Sequence, residues 1–158
     1  MDDRYAAGLF DGEGYVRINR WKRPNHKQIR YQIIGGIGMT HRPIIEELHK
    51  TYGGSINMNR HDLRNPKNRI QFTWHVASHQ LASFLRRVYP YLVVKKDEAK
   101  IALDFQEHVD TTPYSPKGQK RGELRANSDT INALRQRMHD DILALKKRRY
   151  QPFNSGPK

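Results

Sequence analysis

Twice within its first 108 residues the chain passes from apolar residues at helical spacing into apolar residues at every second position. That double switch restricts its fold more than any other feature, because a period-two segment cannot sit as a helix, nor a helical one as a strand. Asp2 or Asp3 can cap a short helix through Arg4, Tyr5, Ala6, Ala7, Gly8, Leu9, Phe10 and Asp11, with Leu9 and Phe10 turned to the core and the stop at Gly12 and Gly14. Tyr15, Arg17, Asn19 and Trp21 then alternate with Val16 and Ile18, the pattern of a half-buried strand. After a turn at Pro24 and Asn25, a second strand from about Gln28 to Met39 places Tyr31, Ile33, Ile37 and Met39 on one face. Arg30, Gln32 and Ile34 fall on the other. Gly35, Gly36 and Gly38 leave that ribbon bare, so something bulky is expected close against it.

The cycle repeats. Thr40 serves as an N-cap, Pro43, Ile44, Ile45, Leu48 and Tyr52 recur at helical spacing, and Gly53 and Gly54 end the helix. Strands at Ser55–His61 and Arg69–Ala77 flank a turn at Arg64, Asn65 and Pro66. In the second of them Ile70, Phe72, Trp74 and Val76 alternate with Arg69, Gln71, Thr73 and His75. Ser78 or His79 opens a helix to Val88, and another runs from about Lys96 to His108. Helix, two strands, helix, two strands, helix, helix is an α+β order, and residues 1–110 form its core. Residues 111–127 are expected as a loop. A helix over 128–150 carries Ile131, Leu134, Met138, Ile142 and Leu145 on a stripe that docks on the core, and 151–158 is a frayed tail.

Charge narrows the function. Twenty-nine Lys and Arg against 16 Asp and Glu leave +13 on 158 residues, far more than solubility asks of a small domain, and imply a polyanionic partner. The field is patterned: Tyr15 to Ile44 holds Arg17, Arg20, Lys22, Arg23, Lys27, Arg30 and Arg42 and no acid, whereas the first fourteen residues hold four acids and one Arg. Nucleic acid fits better than a membrane surface, since no basic helix has a bulky apolar face and no apolar run approaches bilayer length. With no cysteine, thiolate zinc sites, disulfides and thiol nucleophiles are excluded. The start at Met1, Asp2 and Asp3 lacks a signal-peptide pattern, so an intracellular, soluble protein is expected. His75 and His79 lack a Glu partner and read as structural.

At the end of the first helix stand Asp11 and Glu13, where the macrodipole is already negative and each carboxylate is unfavourable by roughly 0.3 to 1 kcal/mol. Two readings follow from the residues alone. A hard divalent cation balances them, or Asp11 hydrogen-bonds neighbouring backbone while Glu13 faces solvent or pairs with a lysine. Gly8 and Gly12, four apart with Ala7 beside them, give the helix a face bare enough for a second helix to approach at backbone distance.

Ala6 to Gly14, reading Ala, Ala, Gly, Leu, Phe, Asp, Gly, Glu, Gly, resembles the LAGLIDADG motif of the homing endonucleases, and the αββαββα order resembles that family's core. The resemblance implies an antiparallel sheet shaped as a saddle on DNA. It also implies a metal-dependent endonuclease making double-strand breaks at a long site. By its pattern Glu13 and the carbonyl of Gly12 hold Mg²⁺, with Mn²⁺ as a substitute, and Asp11 is architectural. Lys95 or Lys96, with Lys95 preferred, offsets charge on the phosphate, and His41 positions solvent or moves a proton. One motif and no internal repeat imply a homodimer packed through Ala7, Gly8, Asp11 and Gly12, hence a pseudo-palindromic target. Arg17, Asn19, Trp21, Arg30, Gln32, Asn57, Asn59, Arg69, Gln71 and Thr73 are the side chains expected to face bases. The basic residues of Lys117 to Arg125 and of the last helix end would hold phosphates. The alternative on the same fold is a binder that does not cut, either a maturase on intron RNA or a DNA-binding regulator.

Overall fold

The computed structural model describes residues 1–22, 29–59, 69–112 and 121–149, with Asn59 and residues 121–128 given by backbone alone. In chain order the elements are α1 (Asp3–Glu13), β1 (Gly14–Lys22), β2 (Ile29–Met39), α2 (Arg42–Tyr52), β3 (Ser55–Asn59), β4 (Gln71–Ala77), α3 (Ser78–Val88), a 3-10 turn (Tyr89–Tyr91), α4 (Lys96–Thr111) and α5 (Arg121–Arg149). The fold is α+β, with four strands in one antiparallel sheet ordered β1-β2-β4-β3. The turns expected at Pro24–Asn25 and Arg64–Pro66 and the tail over 151–158 lie outside the described residues. No helix among the described residues is long and apolar enough to cross a membrane.

Register makes the sheet two-faced. Ile18 stands opposite Ile33, Ile37 opposite Trp74, Ile56 opposite Trp74 and Met58 opposite Phe72, so period two sends one apolar set from all four strands to the same side. The helices cover that side. Trp74, Phe84 and Phe10 are fully buried there; the Phe84 ring meets Phe10 at 5.2 Å, Trp74 at 4.9 Å and Tyr52 at 5.0 Å, each edge to face. Trp74 Nε1 donates to the carbonyl of Gly53 at 2.7 Å, so the one polar atom of the largest core side chain is satisfied. The bulky neighbour expected against the β2 glycines is Leu81 of α3, whose Cδ1 lies 2.9 Å from where a Cβ on Gly35 would sit. Gly54, at φ 86°, turns the chain from α2 into β3, and a Cβ there would meet Val76 Cγ1 at 2.4 Å.

Several boundaries differ from the sequence expectation. α1 continues two residues past Asp11 because Gly12 stays helical and the terminal bond runs from Gly14 N–H to Phe10 O. α2 is entered through His41, which makes no side-chain cap bond, and Thr40 lies one residue too early to cap it. α5 begins at Arg121, well before Ser128, since Glu123, Leu124, Arg125 and Ala126 are good helix formers despite the missing apolar period. Its docking stripe is narrower than expected: Ile142 is buried and Met138 packs against the core, but Leu134 is 40% exposed.

Candidate functional site

α1 is pinned at both ends, and its pinning defines the site. Asp2 caps its start, accepting from the backbone N–H of Arg4 at 2.8 Å and of Tyr5 at 3.3 Å. Asp3 accepts the Tyr52 hydroxyl at 2.7 Å and pairs with Arg87 at 2.8 Å; these two contacts hold its carboxyl below the usual range, the tyrosine bond contributing most. Ala6, Ala7 and Phe10 form the buried stripe. Ala7 therefore offers no surface to a partner, because its 100° offset from Gly8 turns it into its own chain's core. The bare face is Gly8 and Gly12, at neither of which would a Cβ meet anything within 4 Å, with exposed Tyr5 alongside.

At the far end of α1 the two acids separate. Asp11 turns inward and its carboxylate accepts three backbone N–H bonds, from Val93 at 2.7 Å, Val94 at 3.1 Å and Lys95 at 2.8 Å. It thereby caps the entry to α4, an arrangement that suits a negative group at a helix N-terminus. This is the backbone-bonding reading of Asp11, and it leaves that carboxylate engaged. Glu13, two residues on, is exposed, and no basic residue stands in the last turn of α1 to neutralise it.

Lys95 is the cation that meets this end. Its side chain is brought back so that Nζ donates to the backbone carbonyl of Asp11 while its own N–H is bound by the Asp11 carboxylate. It is 8% exposed, and burial first, then the Arg149 guanidinium, lower its pKa against the opposing pull of Asp11, Glu98 and Glu13. Lys96 is not brought here. It is exposed and lies with Nζ 5.4 Å from the centre of the Tyr89 ring. His41 is exposed just past the end of β2, and because Gly14 pairs with Ile37, that end of the sheet is the one at which α1 terminates.

The uncovered sheet face carries the expected hydrogen-bonding set. Arg17 lies opposite Ile34, Asn19 opposite Gln32, Trp21 opposite Arg30, Asn57 opposite Thr73 and Asn59 opposite Gln71. Eight of the strand candidates share this face and Asn59 is placed by backbone register alone, whereas Arg69 is exposed and precedes β4. Gln32 is partly committed, donating its amide to Ser78 Oγ at 2.8 Å. Tyr15 and His75 share the same face, flanking Gly36. His75 is read as structural from sequence, and its alternation with Gln71 and Thr73 puts it on this same face. The side chains from Lys117 to Arg125 lie outside the described residues.

The donor types at the α1 terminus, a free carboxylate and helix-terminal carbonyls, are the hard oxygens that suit Mg²⁺. Their number is short of a coordination shell: among the described residues no group of three His, Cys, Asp or Glu stands together to hold a metal. A cation at this helix end would need further oxygens beyond the Glu13 carboxylate and the helix-terminal carbonyls.

No family model and no curated protein sequence matches the chain. Solved structures do. The homing endonuclease I-CvuI, in complex with the I-CreI target, is 16% identical with a TM-score of 0.68 over 98% of this chain and 85% of that one. The archaeal intron-encoded homing endonuclease I-Vdi141I, complexed with DNA, is 14% identical with a TM-score of 0.58, over 83% of this chain and 96% of that one. The LAGLIDADG homing endonuclease I-LtrWI, bound to target DNA, is 14% identical with a TM-score of 0.58, over 83% of this chain and 43% of that one. At such identities the likeness is one of architecture, and the chain has the fold of the LAGLIDADG homing endonucleases.

Proposed function

We propose that the protein is a site-specific endonuclease that binds double-stranded DNA as a homodimer and cuts both strands in a reaction dependent on a divalent cation. The observation that carries this reading is the division of labour between the two acids of α1. One is consumed in holding the chain together, and the other is left free on an exposed helix end two residues from the carbonyl that binds Lys95. Two copies packed through Gly8 and Gly12 would bring two Glu13 carboxylates near each other, a repulsion that a shared cation relieves. The size comparison supports two copies, since the chain spans most of I-Vdi141I but under half of I-LtrWI.

In this reading Glu13 and the Gly12 carbonyl would hold Mg²⁺, with Mn²⁺ as a substitute. The ion supplies Lewis-acid stabilisation of charge on phosphate oxygens when bound. The chain's own groups do the rest. Water attacks phosphorus as the ester bond to the leaving sugar oxygen breaks, and that oxygen takes a proton from solvent; His41 orients the attacking water or takes its proton, and the Lys95 ammonium donates to a nonbridging oxygen as charge develops there. The face bearing Arg17, Asn19, Trp21, Arg30, Gln32, Asn57, Asn59, Gln71 and Thr73, with Arg69 beside it, lies along the major groove, and two-fold symmetry makes the target pseudo-palindromic. The test uses duplexes selected for binding from a randomised pool. The wild type should cut both strands in Mg²⁺, and Glu13→Gln should bind the same duplexes without cutting them. A wild type that binds tightly yet cuts in neither Mg²⁺ nor Mn²⁺ is a binder, a regulator or an intron-RNA maturase, and overturns the nuclease reading.

A further inference from the structure

We propose that Arg149, at the end of α5, is a positioning residue for Lys95, acting through the buried carboxylate of Glu98 and the carbonyl of Val94. Its consequence for cutting rests on the nuclease reading above, while its mechanism rests on contacts within the chain. Glu98 lies in the first turn of α4 and is 1% exposed, and a carboxylate so placed must be paired and hydrogen-bonded. Its partner comes from 51 residues away: Arg149 Nη2 lies 2.7 Å from Oε1 and 2.7 Å from Oε2. The same Nη2 donates to the carbonyl of Val94, the residue immediately before Lys95.

The loop over 93–95 is therefore held from two directions. Asp11 of α1 takes its N–H groups, and Arg149 of α5 takes a carbonyl between them. Neither grip replaces the other, because one binds donors and the other an acceptor, and together they fix where the Lys95 side chain starts. Without Arg149 the loop would stay tethered on one side only, with Val93 82% exposed and Val94 50% exposed and little apolar packing to steady it. The sequence marks the run Lys146, Lys147, Arg148, Arg149 as a solvated helix end that touches phosphate. The structure keeps Lys147 and Arg148 exposed for that and turns Arg149 inward.

The charges facing Lys95 come from three elements: Asp11 and Glu13 of α1, Glu98 of α4, and Lys146 and Arg149 of α5. The Arg149 guanidinium opposes the charge on Lys95 and Glu98 supports it, so removing Arg149 alone raises the Lys95 titration midpoint.

The test compares wild type with Arg149→Met, Arg149→Lys and the double variant Glu98→Gln/Arg149→Met, which leaves no charge buried alone and so guards against a single variant that fails to fold. Three readouts are taken: titration of the Lys95 amine by NMR, amide exchange at residues 93–95, and single-turnover cutting and binding of the selected duplexes. Arg149→Met should titrate Lys95 at higher pH, and both it and the double variant should exchange faster at 93–95 and cut about tenfold to a hundredfold more slowly at nearly unchanged affinity. Arg149→Lys should recover most of that rate. A folded double variant with wild-type exchange and cutting overturns the proposal. So does a loss of cutting that only follows a loss of binding, which would make Arg149 a phosphate contact. If the wild type cuts nothing, the nuclease reading fails by itself, and the titration and exchange still decide whether Arg149 positions Lys95.

Discussion

Replacing Asp11 isolates the structural half of the acid pair. Three charge-assisted hydrogen bonds at about 1.5 to 3 kcal/mol each would put the simple sum for Asp11→Ala at about 4.5 to 9 kcal/mol. Exposure lowers it. The amides of Val93 and Val94 sit in exposed loop positions where water takes over the vacated bonds, so only the half-buried Lys95 N–H is left short of a partner. One such bond together with an N-cap's ordinary worth gives about 2 kcal/mol. The macrodipole shifts this little, because the carboxylate is unfavourable at the end of α1 and favourable at the start of α4. Urea unfolding should show a lower midpoint with unchanged slope, and the melting temperature should fall by about 4 to 8 °C. Asp11→Asn keeps one acceptor oxygen without the charge and should lose about half as much. Glu13→Gln should leave stability unchanged or raise it slightly, since an exposed carboxylate at a helix C-terminus is unfavourable by about 0.3 to 1 kcal/mol. Equal losses at the two positions, or Asp11→Ala within about 0.5 kcal/mol of wild type, would refute the assignment of Asp11 as the cap of α4.

Three further outcomes follow from the same geometry. At Gly8 a Cβ meets nothing within 4 Å, and Gly8→Leu exchanges glycine for a strong helix former, so the monomer should be as stable as before or more so. Sedimentation should nevertheless report a single 18.6 kDa chain, and an intact dimer would contradict packing through this face. Lys95→Met should abolish cutting, and Lys96→Ala should slow it by no more than a few fold. Because burial and Arg149 lower the Lys95 pKa, the wild-type rate should fall with rising pH before an ordinary lysine would lose its proton, and a rate flat into the ordinary lysine range would remove Lys95 from the chemistry. DNA binding should weaken with salt at a log-log slope of about −0.9 per phosphate neutralised, and a flat response would argue against the basic sheet face.

The fold was legible because alternation and helical spacing are local signals. Ile33 and Ile37, or Phe72, Trp74 and Val76, declare their face without any knowledge of what covers it. The strand partners were not legible in the same way: that β4 rather than β3 lies beside β2 depends on contacts between residues some forty apart, such as Ile37 with Trp74. Ala7 was misplaced for a related reason. Its small size suits a helix crossing as well as a tight core, and only the neighbouring Ala6 and Phe10 on one stripe decide between them. Arg149 stayed hidden because a cation at a helix end already has a sufficient local explanation in the macrodipole. The buried carboxylate that claims it lies on another helix.

Asp11 and Glu13 illustrate how a short motif can carry two incompatible jobs. Residues two apart on a helix point about 200° from each other, so when one side chain enters the chain's own fold the other must leave it. The order is fixed by Phe10 and Ala7, which commit the inner face and bring Asp11 to its edge, against the loop over 93–95. Asp11 then binds Lys95 twice, by carboxylate to its N–H and by carbonyl to its ammonium. A single residue of helix backbone therefore separates the group that anchors the lysine from the carboxylate left exposed. In the proposed reaction the Glu13 carboxylate and the Lys95 ammonium would reach one phosphate from a helix end and from a loop that Asp11 ties to that end, so the bonds to Asp11 set how rigidly the pair is held.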